Sequence, residues 1–227
     1  MCSSDLVDLM VKGQRTKAVI QANRNGFFYA LDRATGKMIV AKAYTKVSWA
    51  DGIRPDGRPN LISGQEPTEE GNKTCPGVGG GHNWQASAYS PQTTWYYFPT
   101  TVGCQTYYKT NQEYREGMLY TGSTGTPIPL EPTTGAVQAV DPVTGNTKWT
   151  FDMVSPPSSG LLTTAGGLVF SGNREGYLFA LDARSGKVLW KYQTGGIVIA
   201  PPITYSLNGK QYVAVAAGDA LIAFGLR

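Results

Sequence analysis

The residues of this chain with chemistry to offer gather around one short stretch. His82 is the sole histidine, and it follows a glycine-rich run, Gly77–Gly81, lying between Cys75 and Cys104. A phosphate cradle would need G-x-G-x-x-G and a helical pattern after it; neither is present, so nucleotide binding is not indicated. One histidine makes no multi-histidine metal site, and no nucleophile–histidine–carboxylate arrangement can be argued from it. The chain has three cysteines and no C-x-x-C, which removes metal-finger spacing. The spacing of Cys75 and Cys104 leaves two readings open: a disulfide, implying an oxidising compartment, or two buried free thiols. Arg24 stands in an N-R-x-G segment. It and its counterpart Arg174 either serve their turns, or one of the two points into a central funnel and holds a ligand oxygen or carboxylate by charge-assisted hydrogen bonds. Asp32, Asp141 and Asp182 recur at one repeat position, and recurrence reads as turn capping. Asn72-Lys73-Thr74 fits a glycosylation sequon.

The elements that must position these residues form a repeat. Ala18–Lys37 (AVIQANRNGFFYALDRATGK) aligns without a gap on Leu168–Lys187 (LVFSGNREGYLFALDARSGK). Each is an apolar strand, an N-R-x-G turn, a second apolar strand and A-L-D-x-x-[TS]-G-K. Ala139–Trp149 and Ala180–Trp190 repeat the second half and start 41 residues apart. A period near forty with strand–turn–strand content marks a propeller blade. The clearest blade is predicted from Leu161–Thr164, Leu168–Gly172, Tyr177–Leu181 and Val188–Tyr192. Gly176 is expected at positive φ, Asp182 to form an Asx turn, and Trp190 to pack between neighbouring sheets. Pro202–Tyr205, Tyr212–Ala217 and Leu221–Phe224 supply three further strands. A loop excursion, rich in Gly, Pro, Asp and Asn, interrupts the pattern over 45–83, and a long loop of this kind is usually functional. Residues 1–16 read as a non-native or irregular leader with no helix or strand pattern, and 17–227 as the propeller.

Bulk properties exclude several classes. Lys+Arg 20 against Asp+Glu 16 gives only +4, thinly spread, so no nucleic-acid or membrane footprint is read. No apolar run reaches the ~18 residues of a membrane-crossing helix, and the N-terminus has no signal-peptide core. Charged residues are 16% while Gly 28 and aromatics are plentiful, which favours short strands over helices.

The pattern A-x-D-x-x-[TS]-G-x-x-x-W, seen as Ala139–Trp149 and Ala180–Trp190, resembles the tryptophan-docking motif of PQQ-dependent (quinoprotein) alcohol dehydrogenases of the methanol/ethanol group. The resemblance runs from Lys17 to the end. It implies an all-β fold, four to five blades of an eight-bladed β-propeller, with pyrroloquinoline quinone (PQQ) as cofactor. Asn23–Lys37 resembles the stretch whose basic residue, here Arg24, contacts the quinone oxygens; Arg174 is given no such role. Cys75–Pro91 (CPGVGGGHNWQASAYSP) resembles a second signature, in which Asn83 hydrogen-bonds PQQ and Trp84 walls the site, although by itself Trp84 reads equally as a core strand residue. The same resemblance implies a Cys75–Cys104 disulfide. Ser158–Asp182 resembles the penultimate blade, whose start lies near the cofactor, making Ser159 and Gly160 contact candidates.

Departures set the limits of this likeness. Val40 stands where its repeat should carry the docking Trp. The family's calcium or lanthanide ligands and its catalytic Asp precede the position of Lys17, so no metal ligand or catalytic base is assigned. The resemblance implies a fragment, inactive alone, of a periplasmic enzyme that oxidises primary alcohols to aldehydes and passes electrons to a cytochrome c. No C-x-x-C-H follows the last blade, which favours the soluble quinoprotein type over the haem-bearing one. A homodimer is admitted. Two alternatives stand beside this: a non-enzymatic PQQ-like-repeat scaffold of the outer-membrane assembly lipoprotein type, and a PQQ-dependent sugar or polyol dehydrogenase.

Overall fold

The computed structural model describes residues 4–122 and 132–225; Cys2 lies outside them. The described residues form strands and turns with no helix. The first sheet is a four-stranded antiparallel meander of β1 (Asp5–Val11), β2 (Gln14–Ala22), β3 (Phe27–Asp32) and β4 (Met38–Ala43). Then come two short strands that pair with each other, β5 (Ala50–Ile53) and β6 (Pro59–Leu61), and β7 (Asn72–Thr74). The second sheet is built of β8 (Ala88–Ser90) and β9 (Trp95–Val102), then, after β10 (Gln105–Tyr107), of β11 (Thr134–Val140) and β12 (Thr147–Met153). β10 leaves that sheet to pair with β7 in the excursion. The third sheet holds β13 (Leu162–Thr163), β14 (Leu168–Gly172), β15 (Tyr177–Asp182) and β16 (Val188–Gln193). The fourth has three strands, β17 (Ile203–Leu207), β18 (Lys210–Ala217) and β19 (Ala220–Gly225). The all-β partial propeller is therefore present as four sheets, one of them three-stranded.

The repeat has a physical counterpart at its turns. In each of the first three sheets the third-to-fourth-strand pairing slips by one residue at the same place: Ala30/Leu31, Ala139/Val140 and Ala180/Leu181. The aspartate next in sequence closes the turn. Asp32 accepts from the amides of Ala34 and Thr35 at 2.8 and 3.0 Å, and Asp182 from those of Arg184 and Ser185 at 3.0 and 2.8 Å. The Ala34 amide holds the Asp32 carboxyl below its usual range, and the Ser185 hydroxyl and amide do the same for Asp182. These aspartates cap turns, as their recurrence predicts.

Cores lie between consecutive sheets, because side chains of a strand alternate faces. Tyr96 and Phe98 of β9 turn toward the first sheet and join Val7, Leu9, Ile20 and Phe28; Tyr97, between them, turns toward the third and joins Trp149, Val169 and Phe179. Leu178, Val198, Val215 and Ala217 form the smaller core between the third and fourth sheets.

Residues 1–16 need a correction. Asp5–Val11 is no irregular leader but a strand of the first sheet, paired with β2 from Asp5↔Ile20 to Val11↔Gln14. Val7 and Leu9 enter the core, and Ser87 donates to Asp5 at 2.7 Å. The 45–83 excursion is more than loop: it carries three short strands that pair within the excursion and with β10.

Candidate functional site

Arg24 lies in the turn between β2 and β3. That turn is made by its neighbours: Asn23 Oδ1 accepts from the Asn25 amide at 3.1 Å, Asn25 Oδ1 from the Phe27 amide at 3.0 Å, and Gly26 takes φ 95°. The arginine itself is gripped by the glycine run. Its guanidinium donates to the Val78 carbonyl, and its own carbonyl accepts from the Gly81 amide at 3.1 Å. Gly80, at φ 75°, lies so close that a Cβ would fall 2.7 Å from Arg24 Cβ. The run is glycine because Arg24 packs onto it; its role is close approach, not phosphate binding.

The other side of the run is fixed to the second sheet. Cys75 and Cys104 are joined in a disulfide. Gly77 donates to the Gly103 carbonyl at 3.2 Å, Val78 to Gln105 Oε1 at 2.9 Å, and Thr101 to the Gly81 carbonyl at 2.6 Å. His82 is 1% exposed, its ring edge-on to Phe98. Its Nδ1 donates to the Pro99 carbonyl at 2.8 Å, which leaves the lone pair on Nε2. Burial pushes its pKa down to about 4, opposed by the bond to Pro99, so the ring is neutral and structural near pH 7. Burial also raises the Tyr107 hydroxyl, while Arg24 nearby acts the other way.

Next to this clamp opens a cavity of about 320 Å³, lined by Gly77–Gly80, Asn83, Trp84, Gln85 and Arg174 among others. No carboxylate lines it. Asn83 Nδ2 donates to the Gly79 carbonyl at 3.3 Å, and Trp84 is 53% exposed, so it is a wall residue here and not a buried core residue. Asn83 and Trp84 thus share one cavity, and Arg24 holds the loop that forms one of its walls. Ser159 and Gly160 do not line it. Ser159 is fully buried and its hydroxyl donates to the Ala200 carbonyl at 2.9 Å; a Cβ on Gly160 would fall 2.7 Å from the Ala86 amide nitrogen. Both residues serve close approach between sheets. The repeat leaves Arg24 and Arg174 equally open to a funnel role; only the family resemblance singles out Arg24 and sets Arg174 aside. A larger cavity, about 670 Å³, lies between the third and fourth sheets, lined by Phe170, Leu178, Trp190 and Phe224 and by no titratable group. It lacks the convergent polar groups of a ligand site. The amide of Asn72, in the sequon, donates to the Gly64 and Glu66 carbonyls at 2.6 and 3.0 Å.

The cavity suits a flat, anionic, oxygen-bearing ring. It offers an indole wall, side-chain amides and one guanidinium, that of Arg174, without a repelling carboxylate. It does not suit a metal ion: among the described residues no three of His, Cys, Asp or Glu come together as ligands.

Sheets with these turns define a segment of a β-propeller, here with an arginine clamped on a glycine loop beside an acid-free pocket. The quinoprotein ethanol dehydrogenase of Pseudomonas aeruginosa is 39% identical over 218 residues, 91% of this chain and 35% of that protein. Lupanine 17-hydroxylase [cytochrome c] of a Pseudomonas species is 38% identical over 224 residues, 94% of this chain and 31% of that protein. A solved europium-containing methanol dehydrogenase superposes with TM-score 0.84 at 36% identity, covering 95% of this chain and 39% of that one. The family model described as outer membrane protein assembly factor BamB matches residues 133–226. These homologues are quinoprotein alcohol dehydrogenases, and the chain matches the C-terminal region of these larger proteins. It spans about a third of the length of the curated relatives it matches.

Proposed function

We propose that the complete protein oxidises primary alcohols to aldehydes with PQQ held partly by this segment. The observation that carries the proposal is the clamp. Arg24 and Asn83 are both fastened to the Gly77–Gly81 loop, at a cavity with no carboxylate in its lining. When bound, PQQ supplies the hydride acceptor, the chemistry the protein side chains lack. Arg24 would offer its remaining guanidinium hydrogens to anionic oxygen, stabilising negative charge as it develops. Asn83 would fix the ring by hydrogen bonding, and Trp84 would exclude water from one side. Calcium or a lanthanide would be held by residues outside those described, as would the general base. On this reading the 227-residue chain alone is inactive.

The disulfide supports a periplasmic location, since such bonds persist in oxidising compartments. A cytochrome c as electron acceptor is supported by the name of one relative. The match to the assembly-factor model falls on 133–226, which takes in Thr133, Pro156, Pro157 and Arg174 of the cavity lining but not Arg24, Asn83 or Trp84.

The test is dye-linked oxidation by the full-length protein, reconstituted with PQQ and either calcium or a lanthanide, against alcohols, sugars and polyols. Alcohol turnover is expected, and Arg24→Ala should lower it at least about a hundredfold, the loss typical of a donor aimed at developing charge. Turnover equal to the unmodified protein would remove Arg24 from the site. Oxidation of sugars alone would replace the substrate class.

A further inference from the structure

Arg174 occupies the same turn position as Arg24, between β14 and β15, yet the turn does not use it. Asn173 Oδ1 accepts from the Tyr177 amide at 2.8 Å, and the backbones of Asn173 and Tyr177 pair at 3.1 Å. Gly176 supplies the positive φ, 80°. The arginine side chain takes no part in these bonds, so turn formation does not account for it.

Its surroundings account for it better. Arg174 lines the 320 Å³ cavity with Asn83, Trp84 and Gln85. Among the described residues its guanidinium has neither an ion pair nor a hydrogen bond. The neighbouring acid, Glu175, is engaged elsewhere and accepts the Ser155 hydroxyl. Arg24 differs: one of its guanidinium nitrogens already donates to the Val78 carbonyl. Arg174 is therefore an exposed, water-accessible cation on the wall of a pocket without carboxylates, free of protein partners among the described residues and beside an indole and the two prolines Pro156 and Pro157. A guanidinium so placed is shaped for bidentate bonding to a carboxylate.

We propose that Arg174 is the carboxylate-binding residue of this cavity. The proposal rests on the reading of the cavity as the site of cofactor and substrate. The carboxylate has two sources: PQQ itself, or an alcohol substrate that carries an acid group.

Full-length protein carrying Arg174→Gln or Arg174→Lys separates them. PQQ affinity is measured by fluorescence titration of the apo-protein. In the holoenzyme, a hydroxy acid (3-hydroxypropionate) and a plain alcohol (1-propanol) are compared through the ratio of their Michaelis constants. If the cofactor supplies the carboxylate, Arg174→Gln weakens PQQ binding about tenfold, as loss of one charge-assisted bond should, and the acid-to-alcohol ratio stays constant. If the substrate supplies it, that ratio rises about tenfold and PQQ affinity holds. In either case Arg174→Lys recovers part of the loss. Both quantities within about twofold of the unmodified protein would overturn the proposal. Arg24→Gln is the control: if it weakens PQQ binding while Arg174→Gln changes neither quantity, only the role of Arg174 falls. Failure of the unmodified apo-protein to bind PQQ overturns the reading of the cavity and this proposal together.

Discussion

Trp149 and Trp190 occupy the same repeat position and meet different fates. Trp149 is 9% exposed. Its ring lies over Gly186 of the third sheet, where a Cβ would fall 2.6 Å from Trp149 Cε3, and its indole N–H donates to the Ala183 carbonyl at 2.9 Å. Trp190 is 38% exposed and rests against Phe224 and Tyr192. The turn that receives Trp149 joins the third and fourth strands of the next sheet. The equivalent turn for Trp190 would follow β19, outside the described residues. A tryptophan at the right spacing thus buries only when the next sheet presents a glycine turn to it. The first sheet shows the converse. There Val40 and Lys42 cover Gly145, and Lys42 donates to Asn146, so a receiving turn is filled without a tryptophan.

This contrast is open to direct attack. The largest effect expected is from Trp149→Ala, about 3–5 kcal/mol by urea denaturation of this chain, because a buried ring and its hydrogen bond are lost together. Trp190→Ala should cost about 1–2 kcal/mol, since much of that ring is already wet. Equal losses would mean that the two junctions are alike.

Acid should act next, at the junction of the first and second sheets. Burial lowers the pKa of His82 from 6.5 to about 4, so the unfolded chain takes up a proton first as pH falls. Stability is full above the unfolded value and is lost as pH drops toward the folded one, by up to about 3 kcal/mol. His82→Gln should flatten that part of the pH profile; an unchanged profile would assign the acid sensitivity elsewhere.

The smallest contrast is between two glycines. Gly36 and Gly186 have φ 72° and 70°, but around Gly36 nothing lies within 4 Å of a built Cβ. Gly36→Ala should cost only left-handed backbone strain, about 1–2 kcal/mol. Gly186→Ala should cost about 1–3 kcal/mol more, for crowding Trp149. Identical costs would show that Trp149 tolerates displacement.

The repeat makes the sheets legible because its turns rest on local chemistry: an aspartate capping amides two and three residues on, and a glycine at positive φ. β1 escapes because it has apolar residues on both faces. Val7 and Leu9 are buried while Leu6 and Met10 are 66% and 62% exposed, so alternation is hidden. The excursion's strands escape because each pairs through few residues of low strand preference. In the site, Asn83 and Trp84 are reached by family resemblance. The grip of Gly80 and Val78 on Arg24 joins residues far apart in the chain, and nothing local to either end encodes it. Arg174 is offered by the repeat as the equal of Arg24 and is set aside only by the resemblance.

The central claim is that the loop clamping Arg24 faces the cofactor. A crystal structure of the complete protein with PQQ bound tests it most directly. The account predicts quinone or carboxylate oxygens within about 3.2 Å of both the Arg24 guanidinium and the Asn83 amide. PQQ seated with neither group in hydrogen-bonding reach would contradict it.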